Sequence, residues 1–323
     1  MPLNTIAEAD NYSREMLYSA VVDHIIKANP MLALMRFLGI VGNSLDYDRE
    51  TTAATASWLD PGETWPESTP TVTKKTAKVR ILGGDADIDN FLASTRRNPM
   101  DLTAEIIEKK SKAVGHEWGD SVIYGSNAVN SKQIDGLHTI ITAAAIDTPA
   151  STLDVHAGSG STGGVGKLSL LDEMIDIVKP GKPSALLASK RSLRGIYKLQ
   201  RSQGSAMEHG DLGFGLRVTL YNNIPLLPCD FIVDTETIAS NAFSAKTGGL
   251  TSSILAVQLD APDGVIGLEG GSGDETGLVV KSIGDLETKD AKRYRIKAYW
   301  GMAVLRAYAI ARLDGISSGD WTN

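Results

Sequence analysis

Residues 45–82 constrain this chain most, because they form a segment that cannot build a core of its own. Leu45-Asp46-Tyr47-Asp48-Arg49-Glu50-Thr51-Thr52 is charged and threonine-rich with short alternation, the pattern of a strand. Val72 to Leu82 is its natural partner. Between them, Trp58 to Pro70 holds three prolines and a glycine, which marks a loop tip. The expected product is a long hairpin, polar on both faces, with Trp58 and Trp65 at its end. A lone hairpin is marginal in water, so it must lie on something. Exposed indoles at a tip point to contact with another chain. Trp58, Pro61, Gly62, Trp65 and Pro66 are therefore the candidate assembly contacts.

Other segments supply the body. Met16, Leu17, Ala20, Val21, Ile25 and Ala28 recur at helical spacing before Pro30, which predicts an amphipathic helix behind a polar arm. Asn98-Pro99 offers a cap and a first-turn proline. Leu102, Ile106, Ala113, Trp118 and Val122 then follow one face until Gly125. A helix of about 27 residues would run roughly 40 Å and act as a spine. Gly158 to Gly166 reads as flexible loop. Leu168, Leu171, Ile175 and Val178 mark a short helix ended by Pro180, Ala185 to Ala188 a buried strand, and Arg191 to Gln200 a second helix. With strands at Leu216–Leu227 and Ile254–Leu259, a mixed α/β lobe spans 130–265. Leu278–Ile283 and Tyr294–Leu313 close the chain with long β segments.

Composition sets the function classes aside in turn. The net charge of −7 over 323 residues argues against a protein whose main work is gripping nucleic acid. The single cysteine, Cys229, excludes a disulfide framework and a Cys-built zinc site; it follows Pro228 in an apolar strand and reads as buried and inert. The start has no basic and apolar signal regions, and no run of about 18 apolar residues occurs, so neither secretion nor a membrane span is expected.

Motifs that mimic chemistry fail at their key positions. Gly160 to Lys167 would need a glycine where Ser161 stands and a hydroxyl where Leu168 stands to bind phosphate. His116-Glu117 would need a second histidine where Asp120 stands to bind zinc. Asp85 to Asn90 lacks the glycine and glutamate of a calcium loop; its carboxylates at period two describe one face of a strand. The five histidines, His24, His116, His138, His156 and His209, are scattered. No catalytic, cofactor or metal residues are therefore assigned.

The order of elements resembles the major capsid protein of tailed phages, the Hong Kong 97 type. The resemblance is carried by Ile81-Leu82-Gly83-Gly84-Asp85 returning from the hairpin and by Glu117 to Gly125 ending the spine. Gln133-Ile134-Asp135-Gly136-Leu137 resembles the step into the family's A-domain, and Tyr221 to Leu227 its turn followed by a proline-bearing strand. Gly301-Met302-Ala303-Val304 and Ala309 to Leu313 resemble its closing strands. Coverage is nearly the whole chain. The resemblance implies an α+β fold with an N-terminal arm and helix over 1–43 and an extended E-loop hairpin over 44–84. A P-domain with the spine helix would span 85–129, a mixed α/β A-domain 130–265, and the P-domain C-terminal strands 266–323.

The function so implied is structural rather than enzymatic, without cofactor. Subunits would self-assemble into hexamers and pentamers of an icosahedral phage head around double-stranded DNA, touched weakly and without sequence preference. The head would form in the host cytoplasm and reside in the virion, with portal, decoration and scaffolding proteins as partners and no membrane. Two departures matter. Some members weld shells by an isopeptide bond between an E-loop lysine and a P-domain asparagine, promoted by a glutamate. Here the tip from Trp58 to Pro70 has no lysine, and Arg293 to Leu313 has neither asparagine nor glutamate, so non-covalent shells are expected. Others carry a long N-terminal scaffolding extension; only about thirty residues precede Pro30 here, so scaffolding would be a separate protein or none. The alternatives are an encapsulin-like nanocompartment shell enclosing cargo enzymes and a soluble α/β hydrolase or transferase. The last lacks a nucleophile or metal constellation and leaves the tip without a role.

Overall fold

The computed structural model describes residues 34–52, 54–95, 99–147, 153–158, 160–202, 208–211, 217–239, 242–259, 264–271, 278–319 and 321–322. The helix expected at Met16 to Ala28, and the Asn98 cap, lie outside them. Strand β1 (Phe37–Ile40) leads into the hairpin strands β2 (Ser44–Thr52) and β3 (Thr71–Lys78). These pair antiparallel from Ser44↔Lys78 to Thr52↔Thr71. The hairpin is polar on one face only. Asp46 accepts from Thr76 Oγ1 at 2.7 Å and pairs with Lys74 at 3.0 Å on the outer face. On the inner face Leu45, Tyr47 and Ala77 pack with Ile266, Leu268 and Ala303, and buried Arg49 donates from Nη2 to the Val304 carbonyl at 2.8 Å. Strand alternation hid this anchored face because its lining is small or amphipathic.

The hairpin ends at Lys78, short of the expected Leu82. The next strand, β4 (Arg80–Asp89), pairs with β15 (Ala291–Val304). Ala86 and Ile88 are buried, while Asp87 and Asp85 on the other face accept paired bonds from Arg293 and Arg295 at 2.6–2.9 Å. The alternation that excluded a calcium loop is that of a strand facing an arginine-bearing neighbour.

After α1 (Asn90–Thr95) comes the spine, α2 (Pro99–Tyr124), then α3 (Leu137–Asp147). The 26 residues of α2 span about 39 Å. Its buried face differs from the one the apolar residues predict. Ile107, Val114, Trp118 and Val122 are buried, but Ala113 is exposed and Ile106 only half-buried. Ser111, Gly115 and Gly119 complete the buried stripe, and a search for apolar side chains passes over them. Gly119 is required there, since a Cβ would lie 2.4 Å from the Phe231 ring.

The lobe is built from β5 (Asp154–His156), α4 (Leu168–Ile177), β6 (Ala185–Ala188), α5 (Lys190–Ser202), β7 (Glu208–Asp211), β8 (Arg217–Tyr221), β9 (Ile224–Pro228), β10 (Thr237–Ala239), β11 (Ala242–Ala245) and β12 (Ser252–Val257). β8 and β9 are joined by Asn222 and Asn223, both at positive φ, the two-residue hairpin turn that asparagine tolerates. The chain then returns through β13 (Val265–Gly270), β14 (Leu278–Asp285) and β15, and ends in β16 (Ile310–Ile316). Two sheets result. The body sheet runs β1-β13-β15-β14 with β4 also on β15; the lobe sheet runs β5-β16-β12-β6-β9-β8-β7. The last strand departs from the sequence reading of one closing body. β15 stays in the body, while β16 crosses to the lobe and pairs with β12 and β5. β6, β12 and β16 are buried at every position; β6 and Ile254–Val257 of β12 read as continuous apolar runs, while β16 carries Arg312 and Asp314 between apolar residues. Helices α4 and α5 cover one side through Leu171, Met174, Leu193 and Ile196. On the other side Leu187, Leu255 and Ile310 share a core with Trp118, Ile296 and Trp300 of the body.

The glycine-rich segment 158–166 is not a loose loop. Gly164 donates to the Gly315 carbonyl at 2.9 Å and accepts from the Ser317 amide at 2.8 Å. A Cβ on Gly164 would sit 1.9 Å from the Ala157 carbonyl oxygen. Glycine serves here for close backbone approach along β16, which composition alone does not distinguish from flexibility.

Candidate assembly surface

The hairpin tip is fixed by local chemistry. Asp60-Pro61-Gly62-Glu63 closes with the Glu63 amide donating to the Asp60 carbonyl at 3.1 Å, and Gly62 has φ +98°. Proline second and glycine third is the type II turn, whose third position needs positive φ. The Glu63 carboxylate accepts from the Asp60 amide at 3.1 Å, and Ser68 Oγ accepts from the Thr55 amide at 2.9 Å. This arrangement presents Trp58 and Trp65 at 103% and 82% exposure, whereas Trp118, Trp300 and Trp321 are buried. All five candidate contacts, Trp58, Pro61, Gly62, Trp65 and Pro66, are brought together on this exposed tip. Val41, Ile81 and Phe91 are also exposed apolar groups on the body.

Two clefts carry basic side chains. One, of about 380 Å³, lies between the inner face of the hairpin, the 127–135 turn and α3, and includes Arg49, Lys75, Lys78 and Arg80 with Met302 and Val304. The other, of about 290 Å³, lies against α5, which bears five basic residues and no acidic one. There Arg191 already donates to the carbonyls of Asp234, Leu250 and Ile316.

A buried charge network, unforeseen from scattered histidines, joins spine and lobe. Fully buried Arg312 on β16 donates to His138 Nδ1 at 2.9 Å and to Asp154 Oδ2 at 2.8 Å. That fixes the His138 proton on Nε2, facing Ser253 Oγ at 3.3 Å and Glu236 at 3.6 Å. Glu236 Oε1 accepts from Tyr124 Oη at 2.5 Å and Ser253 Oγ at 3.0 Å. His138 stacks on both Tyr124 and Phe243, which also contact each other. His156 Nδ1 meets Asp314 Oδ1 at 2.5 Å. Burial pushes the Glu236 carboxyl up to about 7 and holds His138 below its ordinary range. Burial also raises Asp154 despite its Arg312 partner, while the Asp314 bond raises His156. Arg312 bonds Asp154 and His156 meets Asp314, whereas Glu236 accepts from the neutral hydroxyls of Tyr124 and Ser253, so its burial favours the protonated form. None of these side chains lines either cleft, and their bonds tie the spine, α3, β5 and β16 together. The sequence signal was available: Arg312 and Asp314 interrupt an otherwise apolar strand at period two. Burial raises the Cys229 thiol as well, in keeping with an inert cysteine. Among the described residues no group of three or more His, Cys, Asp or Glu is placed to hold a metal, and no helix is long and apolar enough to cross a membrane.

The family model for type 2A encapsulin shell proteins of the SrpI-like kind matches residues 156–320. No curated protein matches. Among solved structures, the holo-SrpI encapsulin complex from Synechococcus elongatus PCC 7942 superposes with a TM-score of 0.66 at 17% identity, over 91% of this chain and 89% of that one. The capsid of a native GTA particle gives 0.61 at 16% identity, over 90% of each chain. A chain from Microbacterium phage Oxtober96 gives 0.58 at 14% identity, over 88% of this chain and 90% of that one.

Proposed function

Because the chain belongs to the SrpI-like family of type 2A encapsulin shell proteins, and its fold is of the Hong Kong 97 type, we propose that copies of it assemble into a closed cellular nanocompartment. Rings of subunits close the shell, with the hairpin tip, Trp58 and Trp65 above all, supplying contact between neighbours. The subunit is a wall element, not an enzyme. The observation that carries this reading is the family match over 156–320, just over half of the chain. The sequence reading placed the phage head first and the cellular shell second; the family match supports the cellular shell. A phage-type head keeps one observation in its favour, the similarity in fold to the capsid of a GTA particle at a TM-score of 0.61.

Domain roles follow from the same reading: hairpin 44–84 as E-loop, spine and body sheet as the radial wall, and lobe 130–265 with β16 toward the ring centre. The test is expression of the full chain, followed by negative-stain microscopy and analysis of particle contents. Closed particles holding protein but no nucleic acid are expected. Particles filled with nucleic acid would favour the phage head, and small monodisperse species would overturn both readings.

A further inference from the structure

We propose that the tryptophan tip of one copy seats in the basic cleft beneath the hairpin of a second copy, so that neighbouring subunits join tip to foot. The proposal deepens the shell reading and rests on it. Three observations on opposite ends of one chain carry it. The tip is acidic: residues 54–73 contain Asp60, Glu63 and Glu67 and no lysine or arginine. The cleft is basic: Arg49, Lys75, Lys78 and Arg80 line it against one acid, Asp135, whose Oδ1 already accepts from the Asn127 amide at 2.8 Å. Its apolar floor, Ile134, Met302 and Val304, suits an indole. A volume of about 380 Å³ lies at the small end of the ~300–1,000 Å³ range of ligand pockets, the scale of one or two side chains rather than a folded partner.

The occupant is a second copy. Strand pairing from Ser44↔Lys78 to Thr52↔Thr71 carries the tip about 27 Å from the foot at ~3.4 Å per residue, and both indoles stand in solvent in the single chain. A surface and its complement at different places on one molecule make a heterologous contact, which closes into rings when the rotation permits. Within the contact the division of labour is physical. The carboxylates steer the tip toward Lys75 and Arg80, and the indole supplies apolar burial at the centre.

Charge reversal with rescue tests this in the full chain, with particle yield read by light scattering and microscopy. Lys75→Glu with Arg80→Glu, and separately Asp60→Lys with Glu63→Lys, should each lower particle yield by about tenfold or more. The chain carrying all four substitutions should recover it, because the opposed charges are restored in exchanged positions. A folding defect at either site could not be rescued by changes at the other. Undiminished yield from either pair, or no recovery in the fourfold variant, overturns the docking while unaltered particles uphold the shell. Failure of the unaltered chain to form particles overturns the shell reading and the docking together. Tryptophan emission gives a second readout: the exposed pair should shift blue on assembly, and an unshifted spectrum also overturns the docking.

Discussion

Replacing Glu236 with glutamine should stabilise the fold above neutral pH and flatten part of its pH dependence. Burial raises the Glu236 carboxyl from the ordinary 4.5 to about 7, against the lowering influence of the Tyr124 and Ser253 hydroxyls and of Arg312. Between those values the folded chain holds a proton that the unfolded chain has released. The stabilisation from this group is therefore fully present below 4.5 and is lost as pH rises toward 7. The interval from 4.5 to about 7, at 1.36 kcal/mol per pH unit, amounts to roughly 3 kcal/mol. Glutamine fills the same space and still accepts from Tyr124 and Ser253, but has no charge to bury. The variant should match wild type near pH 4.5 and exceed it by up to about 3 kcal/mol at pH 8. Neighbours titrate as well. His156, raised by Asp314, loses its stabilisation as pH climbs through its folded value, whereas the lowered His138 works in the opposite direction below 6.5. Raised Asp154 acts with the sign of Glu236 from 3.8 upward. Only the difference between the two proteins isolates Glu236. Urea unfolding at matched assembly state, followed through the buried Trp118, Trp300 and Trp321, measures it. Parallel stability curves from pH 5 to pH 8 would refute a protonated Glu236 in the folded chain.

Trp58→Ala combined with Trp65→Ala should leave a folded subunit that assembles poorly; normal particle yield and melting temperature would remove the tip from assembly. Gly164→Ala should give no stable fold, since its Cβ would meet the Ala157 carbonyl at 1.9 Å, while Gly160→Ala, with open space around it at φ +82°, should cost only about 1–2 kcal/mol; thermal melts of the two separate packing from flexibility. Trp118→Ala, emptying a site beside Trp300 at 5.0 Å, should cost about 3–5 kcal/mol in urea unfolding. Boiled, denatured particles should run as single chains near 34.4 kDa; a ladder would reveal covalent linkage.

Elements with a strong local signature were legible in the sequence. The Pro61-Gly62 turn, the spine before Gly125, the α4 and α5 helices, and the strand alternation of Asp85 to Asn90 all follow from short-range chemistry. What failed depended on close approach or on distant partners. The stripe through Ser111, Gly115 and Gly119 is buried, with Phe231 lying over Gly119, and small residues carry no hydrophobic signal. The 158–166 segment is ordered because Gly315 and Ser317, some 150 residues later, accept and donate along it. Tyr124, His138, Glu236 and Arg312 lie on four separate segments, so nothing local marks them as one network. The exposure of the five tip residues was legible because prolines, a glycine and acidic neighbours keep that segment out of a core.

The crossing of β16 into the lobe sheet has a consequence for where such a subunit can bend. The chain passes from lobe to body between β12 and β13 and back between β15 and β16. The strand ends that flank these crossings, Val257, Val265, Val304 and Ile310, share one core with Trp118 and Trp300. Arg312 and Asp314 on β16 meet His138, Asp154 and His156 within the lobe, while Tyr124 of the spine donates to the lobe's buried Glu236, so sliding the lobe on the body would break that buried bond at a cost of about 1–3 kcal/mol. The hairpin has no such lock. Its inner face holds to the body through the small cluster around Ala77 and the Arg49 bond to Val304, and its tip stands exposed. The difference between these joints predicts that the hairpin, pivoting at its foot, moves more readily than the lobe moves on the body.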